Sequence, residues 1–466
     1  MIPLWTAAEI ATATGGTASA DFAARGVAFD SREVGEGDLF LALKGESTDG
    51  HRFVAQAFAQ GAAGVVVSEP VDGPHVLVAD TAAALEALAR HRRAESQATI
   101  IGVTGSVGKT GTKEALFAAL ERGAPGRAHR SVKSYNNHTG VPLSLARMPK
   151  DAAFGVFEMG MNHAGELAAL TRLVRPHVAL VTAIAPAHSA FFPDEAAIAD
   201  AKGEIFQGLE PGGTAILPFD SPHRDRLLAA AAPHAARVWS FGRAAGAHVR
   251  ATEALRTEAG TLISATLPGG ELTFTLALPG QHWVSNALAV VAAVEAAGGD
   301  LAAAGLALAE MEGLPGRGRR FRARVGAGQA IILDESYNAN PSSMAATIAL
   351  LGEEKARRRL VVLGEMRELG ARSDAFHAGI AAPLMAAGVD LALLVGEGMG
   401  PLAESLEGKI DFKHVADAAA AKDHLIRVIH PGDAVLIKGS NAVGLARLVD
   451  ALESGQFKNA DAPCSI

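Results

Sequence analysis

The sequence predicts an α/β protein of three units, the middle one built on a largely parallel sheet. Three observations lead there. Short β-branched runs alternate with alanine-rich helical stretches along most of the 466 residues, as strand–helix–strand units require. A glycine-rich turn, Gly105–Thr110, sits between an apolar strand and a helix. Two polar, basic stretches break the pattern, Arg90–Gln97 and Gly313–Arg320, the second rich in Gly and Pro. They divide the chain into residues 1–95, 96–314 and 315–466, each of ordinary domain size.

The expected buried strands are Thr99–Thr104, Phe154–Glu158, Val178–Ala183, Ile331–Asp334, Leu360–Leu363, Leu391–Val395 and Ala434–Ile437. Helical patterns follow several of them, at Lys113–Leu120, Glu166–Leu173 and Met344–Leu351. In open parallel sheets, ligands gather beyond the carboxyl ends of the strands. Gly105–Thr110, Glu158, His188 and Asp334 all fall at or just past such ends.

Composition bounds the function. A formal charge of −8 disfavours nucleic acid as the main partner. Cys464, the single cysteine, has no internal disulfide partner and makes a poor nucleophile from a tail position. Met1–Ile10 lacks the basic-then-apolar pattern of a secretory signal, and the apolar run Ala287–Ala297 is too short to span a membrane and carries Glu295. The expectation is a cytoplasmic protein with no membrane insertion.

Thr99-Ile-Ile-Gly-Val-Thr-Gly-Ser-Val-Gly-Lys-Thr110 reads as strand, turn, helix. Glycines let successive N–H groups face an anion, and the helix N-terminus adds its positive end. Lys109 is placed to reach the β- and γ-phosphates, and the Thr110 hydroxyl to reach Mg²⁺. Val103 stands where the general motif has its first glycine. A phosphate loop alone does not separate a ligase from a transport motor or a nucleotide switch. Glu158 and His188 supply a carboxylate and an imidazole suited to Mg²⁺ or its waters, although either residue alone is more often structural. Spacing alone leaves Lys202 unremarked, at the expected start of a helix.

Taken together, several segments resemble the ATP-dependent Mur ligases of peptidoglycan synthesis, in that family's order. Phe29–His51 resembles the segment that holds the uridine diphosphate end of the muramyl substrate, with Ser31 and Arg32 as the matching residues. Thr104-Gly-Ser-Val-Gly-Lys-Thr110 is similar to the family's phosphate loop and accounts for Val103. Asn136–Leu145 resembles the stretch near substrate and metal, implying substrate contacts from Asn137 and Thr139. Glu158 and His188 match metal-site positions. Lys202 matches a lysine that many members carbamylate with CO₂, which would make it a carboxylate-like ligand beside two Mg²⁺ ions.

Further matches follow. In Gly280–Asn286, His282 and Asn286 take nucleotide-proximal positions, while Trp283 replaces the family's Asn. Arg317 matches an arginine reaching the ATP phosphates; Asp334 and Asn338 match positions brought to the nucleotide, and Asn340 a substrate contact. Asp334–Met344, Leu363–Gly370 with His377, and Lys438–Asn441 resemble the member adding D-alanyl-D-alanine to UDP-N-acetylmuramoyl-tripeptide.

The resemblance implies an N-terminal α/β substrate domain, a central P-loop ATPase-like domain and a C-terminal Rossmann-like domain. It implies a monomer that uses ATP and Mg²⁺ and forms an amide through an acyl phosphate. Lys109, Glu158, His188, Lys202, Arg317 and Asp334 would carry the chemistry; Thr104–Thr110, His282, Asn286 and Asn338 would line the nucleotide; and Thr110 would join the metal ligands. A ligase adding a single amino acid, a folylpolyglutamate synthetase-like enzyme and a nucleotide switch are the competing expectations.

Overall fold

A computed structural model describes residues 3–45, 48–186 and 190–455. His188 and Cys464 lie outside these residues. Three main sheets follow one another along the chain. The first orders its strands Thr17–Ala18, His75–Leu77, Gly64–Val67, Asp38–Leu41 and Gly26–Ala28; only the first pairing is antiparallel.

The second sheet has nine strands. From Ala128–Arg130 through Phe154–Glu158, Thr99–Thr104, Val178–Val181, Thr214–Pro218 and Arg237–Gly242 to Val249–Thr257 all pairings are parallel. Gly260–Leu267 and Gly270–Leu276 extend it as antiparallel hairpins, leaving the sheet largely parallel as expected. Its central strands are buried on both faces with period 2. Ile101, Leu180 and Ile216 enter one core, and Ile100, Ala179, Val181, Ala215 and Leu217 the other. Into the first core packs the helix Gln281–Ala296, whose residues Ala287–Val294 are fully buried. The apolar run around Ala287 is therefore core helix. Among the described residues no helix is long and apolar enough to cross a membrane.

The third sheet orders Arg319–Val325, Gly328–Glu335, Ala434–Lys438, Arg359–Gly364, Leu391–Val395 and Asp411–Val415. Its first pairing is antiparallel and the rest parallel. Val361 and Leu363 face one core, Leu360 and Val362 the other.

The Arg90–Gln97 stretch is more ordered and more buried than its composition suggests. Helix Thr81–Glu95 runs through most of it, and Arg92 and Arg93 are buried. Arg92 stacks 4.2 Å over the Trp5 ring and donates to the Leu4 carbonyl at 2.6 Å. Arg93 donates to the carbonyls of Val174 at 2.7 Å and Arg175 at 2.6 Å, in the central unit. Adjacent arginines thus tie the helix to opposite sides, and their hydrogen bonds offset part of the burial cost, Arg92 Nε having no partner among the described residues. The Gly313–Arg320 stretch is a tight turn, closed by Arg317 N–H to the Leu314 carbonyl at 2.8 Å, before the strand at Arg319.

Candidate active site

The strand Thr99–Thr104 delivers the chain to a loop that opens helix Lys109–Gly123. Gly105 (φ +147) and Gly108 (φ +84) adopt backbone conformations that side chains disfavour. A Cβ at Gly105 would lie 2.0 Å from Thr182 Oγ1. Thr182 Oγ1 donates to the Val107 carbonyl at 2.6 Å, and Ser106 N–H to the Ala183 carbonyl at 2.7 Å, fixing the loop on the neighbouring strand end. Lys109 Nζ donates to the Gly105 carbonyl at 2.6 Å. Burial lowers the Lys109 pKa; Glu158 opposes this and Arg317 adds to it. These couplings place Lys109 within the electrostatic reach of two other predicted site residues.

Glu158 closes its strand with 1% exposure. Thr110 Oγ1 donates to its Oε2 at 2.9 Å, Asn136 Nδ2 to its Oε1 at 2.8 Å, and its own N–H reaches Ser131 Oγ at 3.1 Å. Lys202 lies in the last turn of helix Glu195–Gly203, not at a helix start as expected, because Asp194 caps that helix eight residues earlier in the chain. It is fully buried, and its Nζ has no hydrogen-bond partner among the described residues. Burial first, and then the Lys109 charge, hold its pKa well below the ordinary lysine value against the pull of Glu158, Glu204 and Glu166. A neutral amine is the form that adds CO₂, and a carbamate would replace this orphaned buried amine with an N–H donor and two oxygens that share a negative charge. Thr110, Glu158 and Lys202 therefore fit a cation site as a set of oxygen donors once Lys202 is modified. Unmodified, no three His, Cys, Asp or Glu residues converge among the described residues.

Arg317 comes from the turn before the third sheet. Its guanidinium stacks 4.1 Å over the Tyr337 ring and donates to Ser134 Oγ at 3.2 Å in the central unit. Asp334, 2% exposed, accepts from Gly316 N–H at 2.7 Å and from Ser336 N–H and Oγ at 3.1 and 2.7 Å. Oδ2 thus holds the turn that presents Arg317, while Oδ1 fixes the chain just past its own strand at Ser336. Buried Lys438 donates to the Asn338 carbonyl at 3.0 Å and lies 3.5 Å from Glu335. Asn338 Oδ1 accepts from Ala339 N–H at 2.8 Å.

Asn286 borders the loop, since a Cβ at Gly108 would lie 2.9 Å from its Oδ1. His282 has its pKa lowered to about 4 by burial and the Lys438 charge. Trp283 is core: it packs with the first cluster, and a Cβ at Gly111 would meet its ring at 2.7 Å.

Two predicted substrate residues hold backbone N–H groups at or before helix starts, and Asn340 is a helix cap. Asn340 Oδ1 accepts from Ser343 N–H at 2.9 Å in a capping box. Asn137 Oδ1 accepts from Thr139 and Gly140 N–H at 3.2 and 2.9 Å, opening helix Gly140–Ala146. The residue on Glu158 is Asn136, the neighbour that motif reading passed over. The Asn-Asn pair was the available signal, and only backbone geometry decides which side chain turns inward. Ser31 Oγ donates to Gln56 Oε1 at 3.2 Å, and exposed Arg32 pairs with Asp30 at 2.6 Å.

A phosphate loop at the carboxyl ends of a parallel central sheet, with an arginine turn reaching in from a following Rossmann-like sheet, defines a three-domain nucleotide-dependent α/β protein. Family models agree along the chain: "Mur ligase family, catalytic domain" at residues 24–98, "Mur ligase middle domain" at 103–294 and "Mur ligase, glutamate ligase domain" at 319–441. The UDP-N-acetylmuramoyl-tripeptide–D-alanyl-D-alanine ligase of Escherichia coli (strain K12) is 37% identical over 439 residues, covering 93% of this chain and 95% of that protein. A crystal structure of MurF from Acinetobacter baumannii matches with a TM-score of 0.83 at 33% identity, over 97% of this chain and 100% of that one. MurF from Thermotoga maritima, solved in complex with ADP, matches with a TM-score of 0.76 at 27% identity, over 93% and 98%. The chain belongs to the Mur ligase family.

Proposed function

We propose that this protein is an ATP-dependent ligase that joins D-alanyl-D-alanine to UDP-N-acetylmuramoyl-tripeptide, forming an amide in cytoplasmic peptidoglycan precursor synthesis. The observation that carries the reading is the cluster of half-buried Lys109 with buried Thr110, Glu158 and Lys202 at the carboxyl ends of the central sheet. It sits in a chain that matches ligases of that name over nearly its whole length.

In this reading the phosphate loop, Thr104–Thr110, cradles the nucleotide phosphates, with Asn286 at its edge. Lys109 exchanges the Gly105 carbonyl for the γ-phosphate, and Arg317 adds a second cation from the C-terminal unit. The terminal carboxylate of the tripeptide attacks the γ-phosphorus, ADP leaves, and an acyl phosphate results. The amine of D-alanyl-D-alanine then attacks the acyl carbon, the C–O bond to phosphate breaks, and the amine loses its proton. Positioning and charge neutralisation are the main demands of phosphoryl transfer. Mg²⁺, when bound, neutralises phosphate charge; Thr110, Glu158, His188 and carbamylated Lys202 would hold it. Asp334 holds the turn that aims Arg317, while Ser31 and Arg32 contact the uridine diphosphate end.

The test is phosphate release from ATP with Mg²⁺ and UDP-N-acetylmuramoyl-tripeptide, with and without D-alanyl-D-alanine. Release that requires the dipeptide and yields the pentapeptide mass supports the reading. Release indifferent to the dipeptide would leave a nucleotide-hydrolysing switch or another amino-acid ligase.

A further inference from the structure

One short segment of the central unit, Ser131-Val-Lys-Ser-Tyr-Asn136, touches all three units within six residues. On the N-terminal side, Tyr135 Oη donates to Glu33 Oε1 at 2.8 Å and the Lys133 ammonium pairs with the same carboxylate. Glu33 directly follows Ser31 and Arg32. The Tyr135 ring also packs on Phe29, with centroids 5.6 Å apart. On the C-terminal side, Ser134 Oγ accepts from Arg317 at 3.2 Å. Toward the chemistry, Asn136 Nδ2 donates to Glu158 at 2.8 Å, and Ser131 Oγ accepts the Glu158 N–H at 3.1 Å.

The segment is anchored to the central unit by a buried cation. The ammonium of Lys113, fully buried, donates to the carbonyls of both Ser131 and Lys133 at 2.8 Å and pairs with Glu114 at 2.8 Å. Lys133 is in the left-handed region (φ +53), unusual for a residue with a side chain. Such conformations persist where the surroundings over-determine them. Burial and the Glu33 bond push the Tyr135 phenol up to about 12, so it stays a donor across the physiological range.

We infer that Glu33 and Tyr135 are positioning residues that couple the N-terminal substrate segment to the nucleotide site through Ser131–Asn136. The inference rests on the proposed function, in which Ser31 and Arg32 meet the diphosphate end and Glu158 and Arg317 meet the nucleotide end. Ordering of Ser31–Glu33 by the muramyl substrate biases Lys133 and Tyr135, and with them Asn136 on Glu158 and Ser134 on Arg317. The muramyl substrate and the nucleotide then tighten each other's binding, because coupling between two sites is reciprocal.

The test is calorimetric titration of the full chain with a non-hydrolysable ATP analogue and Mg²⁺, with and without UDP-N-acetylmuramoyl-tripeptide. In the wild type the muramyl peptide tightens nucleotide binding about fivefold or more. Tyr135→Phe and Glu33→Gln each remove most of that ratio, leaving nucleotide affinity without muramyl peptide within about twofold. Lys150→Ala serves as control, since it breaks a contact to Glu9 between the same two units away from the segment; it keeps the ratio. No ratio in the wild type, an unchanged ratio in both variants, or an equal loss in Lys150→Ala overturns the inference. Product formation by the wild type is assayed in parallel: its absence overturns the proposed function, whereas product without coupling overturns only the coupling through Ser131–Asn136.

Discussion

The central site and the N-terminal substrate segment are built in opposite ways. Around Glu158 every polar group has a fixed partner or is sealed from water: Thr110 and Asn136 hold the carboxylate, and Lys202 is buried without a partner among the described residues. At the N-terminal segment, Arg32 is 83% exposed at its side chain and, among the described residues, its guanidinium pairs with Asp30 two residues away. The first arrangement holds charges in place before the reaction, where they act in a low-dielectric setting. The second leaves a long cation on a surface, free to re-pair with a diphosphate. Pre-organisation is concentrated where charge must move, and adaptability where a large substrate must be grasped.

The comparison can be broken in four ways, the largest effect first. Lys109→Ala removes the loop's cation and should lower kcat/KM for ligation roughly 10²–10³-fold; steady-state kinetics within a few-fold of wild type would leave the buried centre without its chemistry. The buried side should also be acid-sensitive. His129 donates toward the Ser144 carbonyl at 2.8 Å, and burial lowers its pKa from 6.5 to about 4. Its folded pKa lies below its unfolded value, so the unfolded chain binds the extra proton between them. Its contribution is complete above pH 6.5 and is lost as pH falls toward 4, on the order of 3 kcal/mol in all. Denaturant melts of wild type should weaken across that window, and His129→Gln should show a shallower slope.

The exposed side should behave differently. Arg32→Ala should raise KM for the muramyl substrate about tenfold while leaving the melting temperature unchanged, since an exposed ion pair contributes little stability. A fall in kcat at saturating substrate would show that Arg32 is not a peripheral grip. Asn340→Ala sharpens the division from the other side. As a helix cap it should cost about 1 kcal/mol of stability, seen in denaturant midpoint, with KM for D-alanyl-D-alanine within a few-fold. A large KM effect with unchanged stability would return Asn340 to substrate contact.

What could be read in the sequence follows the same division. Strands such as Thr99–Thr104, Phe154–Glu158 and Leu391–Val395 stand where their apolar runs place them, because burial on both faces leaves a continuous apolar signal. The phosphate loop was legible because its glycines and Lys109 act through local backbone geometry. The burial of Arg92 and Arg93 could not be read from composition, because their partners, Trp5, Leu4, Val174 and Arg175, are distant in sequence. Composition could not show that Lys202 is buried, nor that Asn136 rather than Asn137 turns to Glu158. The hairpins at Val249–Leu276 were missed because an antiparallel extension leaves no mark on the strand–helix rhythm.

The most direct test of the acyl-phosphate account follows an oxygen atom. UDP-N-acetylmuramoyl-tripeptide labelled with ¹⁸O in its terminal carboxylate is turned over with ATP, Mg²⁺ and D-alanyl-D-alanine, and the released phosphate is analysed by mass. Attack of that carboxylate on the γ-phosphorus predicts phosphate carrying one ¹⁸O for each amide formed. Pentapeptide accompanied by unlabelled phosphate would contradict the account, because the carboxylate would then never have been bonded to phosphorus.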